Sequence, residues 1–148
     1  MKTNEILKIL KVKCGKFFLG VFPKDRIPMD LPTGREFAII CNTDNHNRPG
    51  QHWIALYVNP IKKRGEYFDS FGEKPLEIFE KLLSKYCSNW KYNKQLLQSV
   101  VSEACGQFAI FYVLFKYLGY DLESIVQCFS SDTALNEFIA QQFIRETS

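Results

Sequence analysis

The sequence predicts an α+β domain: a small antiparallel or mixed β-sheet flanked by helices, around a central buried helix with a cysteine at its N-terminus. Three observations carry this expectation. Residues Cys105 to Leu118 are apolar nearly all round, as in a helix enclosed on every side, and Gly119 is a natural stop. His52 to Asn59 alternates in the strand manner, with His52, Ile54, Leu56 and Val58 on one face and Trp53, Ala55 and Tyr57 on the other; Glu66 to Asp69 returns as its partner after an Asn59–Gly65 loop. Helical segments with one-sided apolar stripes bracket these strands, a pattern of layered helices and sheet.

The elements follow in chain order. Thr3 is expected to cap a first helix carrying Ile6, Leu7, Ile9 and Leu10, ending before Gly15. Phe17 to Phe22 is a short apolar extended segment, and residues 23–34 carry prolines, glycines and charges suited to a loop. Glu36 to Asn42 reads as a buried strand and Thr43 to Gln51 as a polar turn. Pro75 is expected as the first residue of a helix with Leu76, Phe79, Leu82, Leu83 and Tyr86 on one stripe. Trp90 to Val100 is ambiguous, with room for a strand. Ser131 is expected to cap a last helix whose core residues are Leu135, Phe138, Ile139 and Phe143. No repeat or second-domain linker interrupts residues 1–148, so one domain is expected.

Composition narrows the chemistry. A net charge of only +3, with both signs interspersed, argues against a dedicated nucleic-acid binder. Five cysteines, an odd number without a CxxC pair, and the lack of a secretory leader or apolar span point to an intracellular protein with reduced thiols. HExxH and phosphate-loop patterns are absent, and no metal or nucleotide cofactor is expected.

Four residues then form a chemical series. Cys105 opens a helix, where the dipole favours a thiolate and unclaimed backbone N–H groups can hold an oxyanion. His52 opens one strand of the hairpin and Asp69 closes the other, so antiparallel pairing brings an imidazole and its orienting carboxylate together. Gln98 can offer a side-chain N–H beside the Cys105 backbone N–H. Singly, each residue has a bland reading: a packed thiol, a strand-edge histidine, a turn aspartate, a glutamine without a role. Jointly, they specify a thiol protease with His52 as base, Asp69 as orienter, Cys105 as nucleophile and Gln98 as oxyanion donor.

These residues carry a resemblance. Phe18-Leu19-Gly20, Ala38 to Thr43, Gly50-Gln51-His52-Trp53, Asn59-Pro60, Tyr67 to Gly72 and Gln98 to Phe108 together resemble the adenovirus-type (adenain-like) cysteine endopeptidases, including relatives in Polinton and Maverick transposons. The resemblance implies the same four assignments, cleavage near small residues such as glycine, and capsid or core precursor proteins as substrates of a monomer located in host nucleus and virion. Asp69 stands where adenoviral members usually carry Glu. The wider clan with SUMO-specific proteases usually has an acid before the nucleophile, where this chain has Ala104, which favours the adenain side. A modifier-specific protease and a catalytically retired assembly domain are the alternative functions. By the same resemblance, Cys87 is either a disulfide anchor for an activating peptide or a half-buried structural thiol; DNA is the weaker of the two implied cofactors.

Overall fold

The computed structural model describes residues 1–44 and 52–147, so the polar segment expected at Thr43–Gln51, with Gly50 and Gln51 of the histidine motif, lies mostly outside the described residues. Among the described residues the order is α1 (Thr3–Cys14), a 3-10 turn (Gly15–Phe17), β1 (Phe18–Pro23), β2 (Phe37–Asn42), β3 (Trp53–Asn59), β4 (Arg64–Phe68), α2 (Glu77–Tyr86), β5 (Asn89–Tyr92), α3 (Cys105–Tyr117), α4 (Leu122–Val126) and α5 (Thr133–Thr147). The strands form one sheet in the order β1-β2-β3-β4-β5. Its centre is antiparallel, with Cys41 opposite Ile54 and Ala55 opposite Phe68, while β1 and β5 each join in parallel, which makes the sheet mixed.

The alternation read in β3 separates two cores. Ile54, Leu56 and Val58 pack with Ile39, Tyr67 and the α2 residues Phe79 and Leu83. Ala55, Tyr57 and Phe68 pack on the opposite face with Phe108 and Tyr112 of α3, backed by Ile6 and Leu10 of α1 and by Ala140 and Ile144 of α5. Helix α3 is buried from Cys105 to Ala109 and on to Leu114, apart from Gln107, which explains its lack of a polar face. Each fully buried Phe, Ile or Leu there contributes about 1.5–3 kcal/mol of transfer free energy.

A buried polar hub joins the layers. Glu66 on β4 is 5% exposed. Its Oε1 accepts the Tyr112 hydroxyl at 2.6 Å, and its Oε2 accepts Lys116 Nζ at 3.0 Å and the Leu122 N–H at 3.3 Å. Lys116 also lies over the Tyr57 ring, 4.3 Å from its centroid. A buried carboxylate with three donors, one of them the Lys116 cation, meets the requirement that buried charge be paired.

Several local expectations are corrected. Lys2, not Thr3, stands at the N-cap of α1 and makes no side-chain cap. The second helix begins at Glu77, two residues after Pro75, and Leu76 is exposed. Asp132, not Ser131, caps α5: its Oδ1 accepts the Leu135 N–H at 3.1 Å. Of the four apolar residues expected on the inner face of α5, Ile139 and Phe143 pack against the core, but Leu135 and Phe138 are exposed, and the buried positions are Asn136, Ala140 and Ile144. Helix α4, capped by the Asp121 carboxylate on Ser124 N–H, was not anticipated; at five residues it is too short to show a periodic stripe.

Candidate active site

His52 lies immediately before β3 and Asp69 immediately after β4. Strand pairing delivers both to one end of the sheet. Because His52 precedes the strand, β3's alternation does not set its direction, and the imidazole sits between Asp69, Phe71 and Cys105 rather than with Ile54. His52 Nε2 is 2.7 Å from Asp69 Oδ1, the side chains being 16% and 5% exposed. The same Oδ1 accepts the Phe71 N–H at 2.8 Å, closing an Asx-type turn. The Phe71 ring stacks on the imidazole with centroids 4.6 Å apart.

The acid is held from behind as well. Buried Asn93 takes the Asp69 N–H on its Oδ1 at 2.9 Å and donates from Nδ2 to the Asp69 carbonyl at 2.7 Å. Gly72 allows the turn to close: its φ is +72°, and a Cβ there would lie 2.5 Å from the Gln95 carbonyl oxygen. No signal in the sequence marks Asn93, since its bonds are to backbone brought close only by the parallel pairing of β4 and β5. Phe71 and Ser70 lie inside the Tyr67–Gly72 motif, but nothing in that motif assigns them a role.

Cys105 is the first residue of α3 and is buried. The N-cap residue Ala104 provides no side-chain cap, so the first-turn N–H groups are not taken by one. His52 Nδ1 is buried and meets no partner at regular hydrogen-bond geometry; the thiol that interacts with the ring is that of Cys105. A loose contact of this kind between nucleophile and base is usual before substrate binds. Burial alone would lower the histidine pKa, but the Asp69 hydrogen bond, the Cys105 interaction and both negative charges raise it to about 9. For Cys105, burial pushes the thiol up, and the His52 interaction with the Trp53 and Gly106 backbone groups outweighs it, so the thiol falls below its ordinary value. Together these shifts favour an imidazolium–thiolate pair near neutral pH.

Gln98 is fully buried. Its Nε2 donates to the Ser102 carbonyl at 2.9 Å and its Oε1 accepts the Ser70 hydroxyl at 2.5 Å. Ser102 in turn receives the Ala104 N–H on its hydroxyl, in the turn that leads into Cys105. Cys87 is elsewhere, at the C-terminal end of α2. It is buried against Gly65, where an added Cβ would lie 2.7 Å from its sulfur, and burial raises its thiol to about 11. The five cysteines form no disulfide with one another. A cleft of about 500 Å³ lined by Glu36, Tyr57, Arg64, Lys91 and Lys116 opens at the opposite end of the sheet and shares no residue with this site. Among the described residues no group of three His, Cys, Asp or Glu could hold a metal ion, and no helix is long and apolar enough to cross a membrane.

The adenovirus endoprotease family matches residues 18–128, a span that contains His52, Asp69, Gln98 and Cys105. The chain belongs to that family. Among its relatives, the protease of bovine adenovirus 4 is 30% identical over 134 residues, covering 80% of this chain and 65% of its own length. The protease of avian adenovirus 8 is 30% identical over 110 residues, covering 65% and 53%. The crystal structure of ASFV pS273R protease superposes with a TM-score of 0.65 at 17% identity, over 94% of this chain and 65% of that one, which establishes a shared fold. The chain therefore spans roughly half to two thirds of the length of these relatives.

Proposed function

We propose that this member of the adenovirus endoprotease family is a cysteine endopeptidase. The observation that carries the proposal is one imidazole set between a carboxylate and a thiol: His52 bonds Asp69 at 2.7 Å through Nε2 and interacts with Cys105 at the start of α3. In the proposed reaction the Cys105 thiolate attacks the scissile carbonyl carbon. Negative charge gathers on the carbonyl oxygen, which the Cys105 N–H and a Gln98 side-chain N–H receive. As the tetrahedral intermediate collapses, the C–N bond breaks and His52 gives its proton to the departing amine. Neutral His52 then takes a proton from water, whose oxygen attacks the thioester; the acid product leaves and the ion pair is restored. Asp69 holds the ring throughout.

The proposed substrates are precursor proteins of a virus or virus-like element, of the Polinton and Maverick kind, cut beside small residues such as glycine, with the enzyme acting as a monomer in infected cell and virion. The test uses a fluorogenic glycine-containing peptide in reducing buffer, alongside a panel of ubiquitin-like conjugates. Turnover of the peptide, its abolition in Cys105→Ala, and alkylation of Cys105 by limiting iodoacetamide ahead of the exposed Cys128 are expected. Cleavage confined to the conjugates would make the chain a modifier protease. No turnover together with first labelling at Cys128 would make it a retired domain.

A further inference from the structure

Resting on the protease reading, we infer that Ser70 is a positioning residue that keeps the Gln98 carboxamide aimed at the oxyanion. Ser70 is 1% exposed and follows the orienting acid directly in the chain. It makes three bonds to one short segment. Its carbonyl accepts both the Leu97 N–H at 2.8 Å and the Gln98 N–H at 3.1 Å, and its hydroxyl donates to Gln98 Oε1 at 2.5 Å. From the other side, buried Asn136 donates to the Leu97 carbonyl at 3.0 Å. The segment is thus clamped between the turn that carries Asp69 and helix α5.

The chemistry of the partners fixes the direction of the amide. A carboxamide has a donor edge and an acceptor edge that a half-turn exchanges. The Ser102 carbonyl can only accept, so it selects Nε2 on the side of the turn that leads into Cys105. Oε1 is then left facing Ser70, buried, and the hydroxyl is what satisfies it. One Nε2 hydrogen goes to Ser102, and the second remains for the substrate oxygen. Without the hydroxyl, a buried acceptor is orphaned and the amide gains a reason to rotate or retreat toward water. Ser70 therefore acts through Gln98 and touches no reacting atom. It also ties the acid to the oxyanion donor: a shift of the Asp69–Gly72 turn carries Gln98 with it.

The decisive experiment is a double-mutant cycle read by two kinds of chemistry. In wild type, Ser70→Ala is expected to lower kcat by about 10- to 100-fold with KM within about twofold, less than the roughly 100- to 1000-fold of Gln98→Ala, because the donor is loosened and not removed. Ser70→Cys, which keeps a weak donor of similar shape, falls between and serves if the alanine variant does not fold. In the Gln98→Ala background, Ser70→Ala should cost no more than about a further twofold. Alkylation of Cys105 by iodoacetamide builds no oxyanion, so its rate should be unchanged by the Ser70 variants. Nitrogen-15 spectra give a readout independent of turnover. The two Gln98 side-chain protons should be distinct and slowly exchanging in wild type, and broadened or exchange-averaged in Ser70→Ala with the backbone spectrum otherwise preserved. Equal losses from Ser70→Ala in both backgrounds, or an unchanged Gln98 side-chain signal, would overturn the assignment. A wild type without turnover would sink the protease reading alone, since the Gln98 signal would still decide for or against Ser70.

Discussion

Asp69→Asn isolates the charge of the orienting residue from its geometry. Asp69 Oδ1 accepts two bonds, from His52 Nε2 and from the Phe71 N–H. The backbone donor can be satisfied only by oxygen, so the asparagine amide should keep its oxygen where Oδ1 now lies and still accept from Nε2–H. The ring stays in place, stacked on Phe71, and loses the full negative charge. A charge-assisted bond contributes about 1.5–3 kcal/mol and a neutral one about 0.5–1.5, so the imidazolium loses on the order of 1–1.5 kcal/mol, or about one pKa unit. His52 stands raised to about 9. Asp69 favours its protonated form, so removing the charge lowers that value, and the alkaline limb of kcat/KM, where the imidazolium is lost, should move about one unit toward neutral pH. The weakened ion pair also raises the Cys105 thiol, so the acid limb moves upward and the profile narrows. At the optimum, kcat/KM should fall about tenfold, since one pKa unit corresponds to 1.36 kcal/mol. Asp69→Ala, which also releases the ring, should fall roughly 100-fold or more. The assay is peptide turnover from pH 5 to 10 for the three proteins, with iodoacetamide rates as an independent titration of the thiolate. An alkaline limb that stays near pH 9 in Asp69→Asn, or an asparagine variant as damaged as the alanine one, would refute this account.

Two further outcomes follow from the packing. Glu66→Ala should destabilise the fold by about 3–5 kcal/mol in urea unfolding, because Lys116 is left buried without its carboxylate, whereas exposed Glu77→Ala should cost under about 1 kcal/mol despite its own lysine partner. Cys87→Ser should cleave the glycine peptide as fast as wild type, with or without a cysteine-bearing peptide under mild oxidation, because the Cys87 thiol is enclosed beside Gly65 and raised to about 11; activation by such a peptide in wild type alone would show instead that Cys87 is a docking site.

What could be read in the sequence is what local pattern encodes. The all-apolar run of α3 and the alternation of β3 each follow from burial repeated at a fixed period, and they located both the helix that starts at Cys105 and the hairpin. The juxtaposition of His52 with Asp69 was legible because antiparallel pairing is itself a local rule. What escaped depends on distant groups. Asn93, Ser70 and Asn136 act through hydrogen bonds to groups far along the chain, and no periodicity marks them. In α5 the apolar pattern was legible only in part: Ile139 and Phe143 pack against the core as expected, while Phe138 lies 58% exposed. The polar Asn136 is fully buried because it is bonded to Ser130 and to the Leu97 carbonyl, partners that no helical stripe encodes.

Glu66 sits well away from the reacting atoms, yet its bonds bear on their spacing. Helix α3 behaves as a rod, with Cys105 at one tip and Tyr112 and Lys116 two and three turns along. At 1.5 Å per residue those anchor points lie about 10 and 16 Å from Cys105. A rod transmits axial slip undiminished, so whatever play exists at the anchored end reappears at the sulfur. Glu66 belongs to the strand that leads directly into Asp69, which makes it an end-stop machined into the same part that carries the carboxylate. Thermal or mutational slack in that stop would be felt first as lost registry between thiol and imidazole, long before the domain loosened enough to unfold.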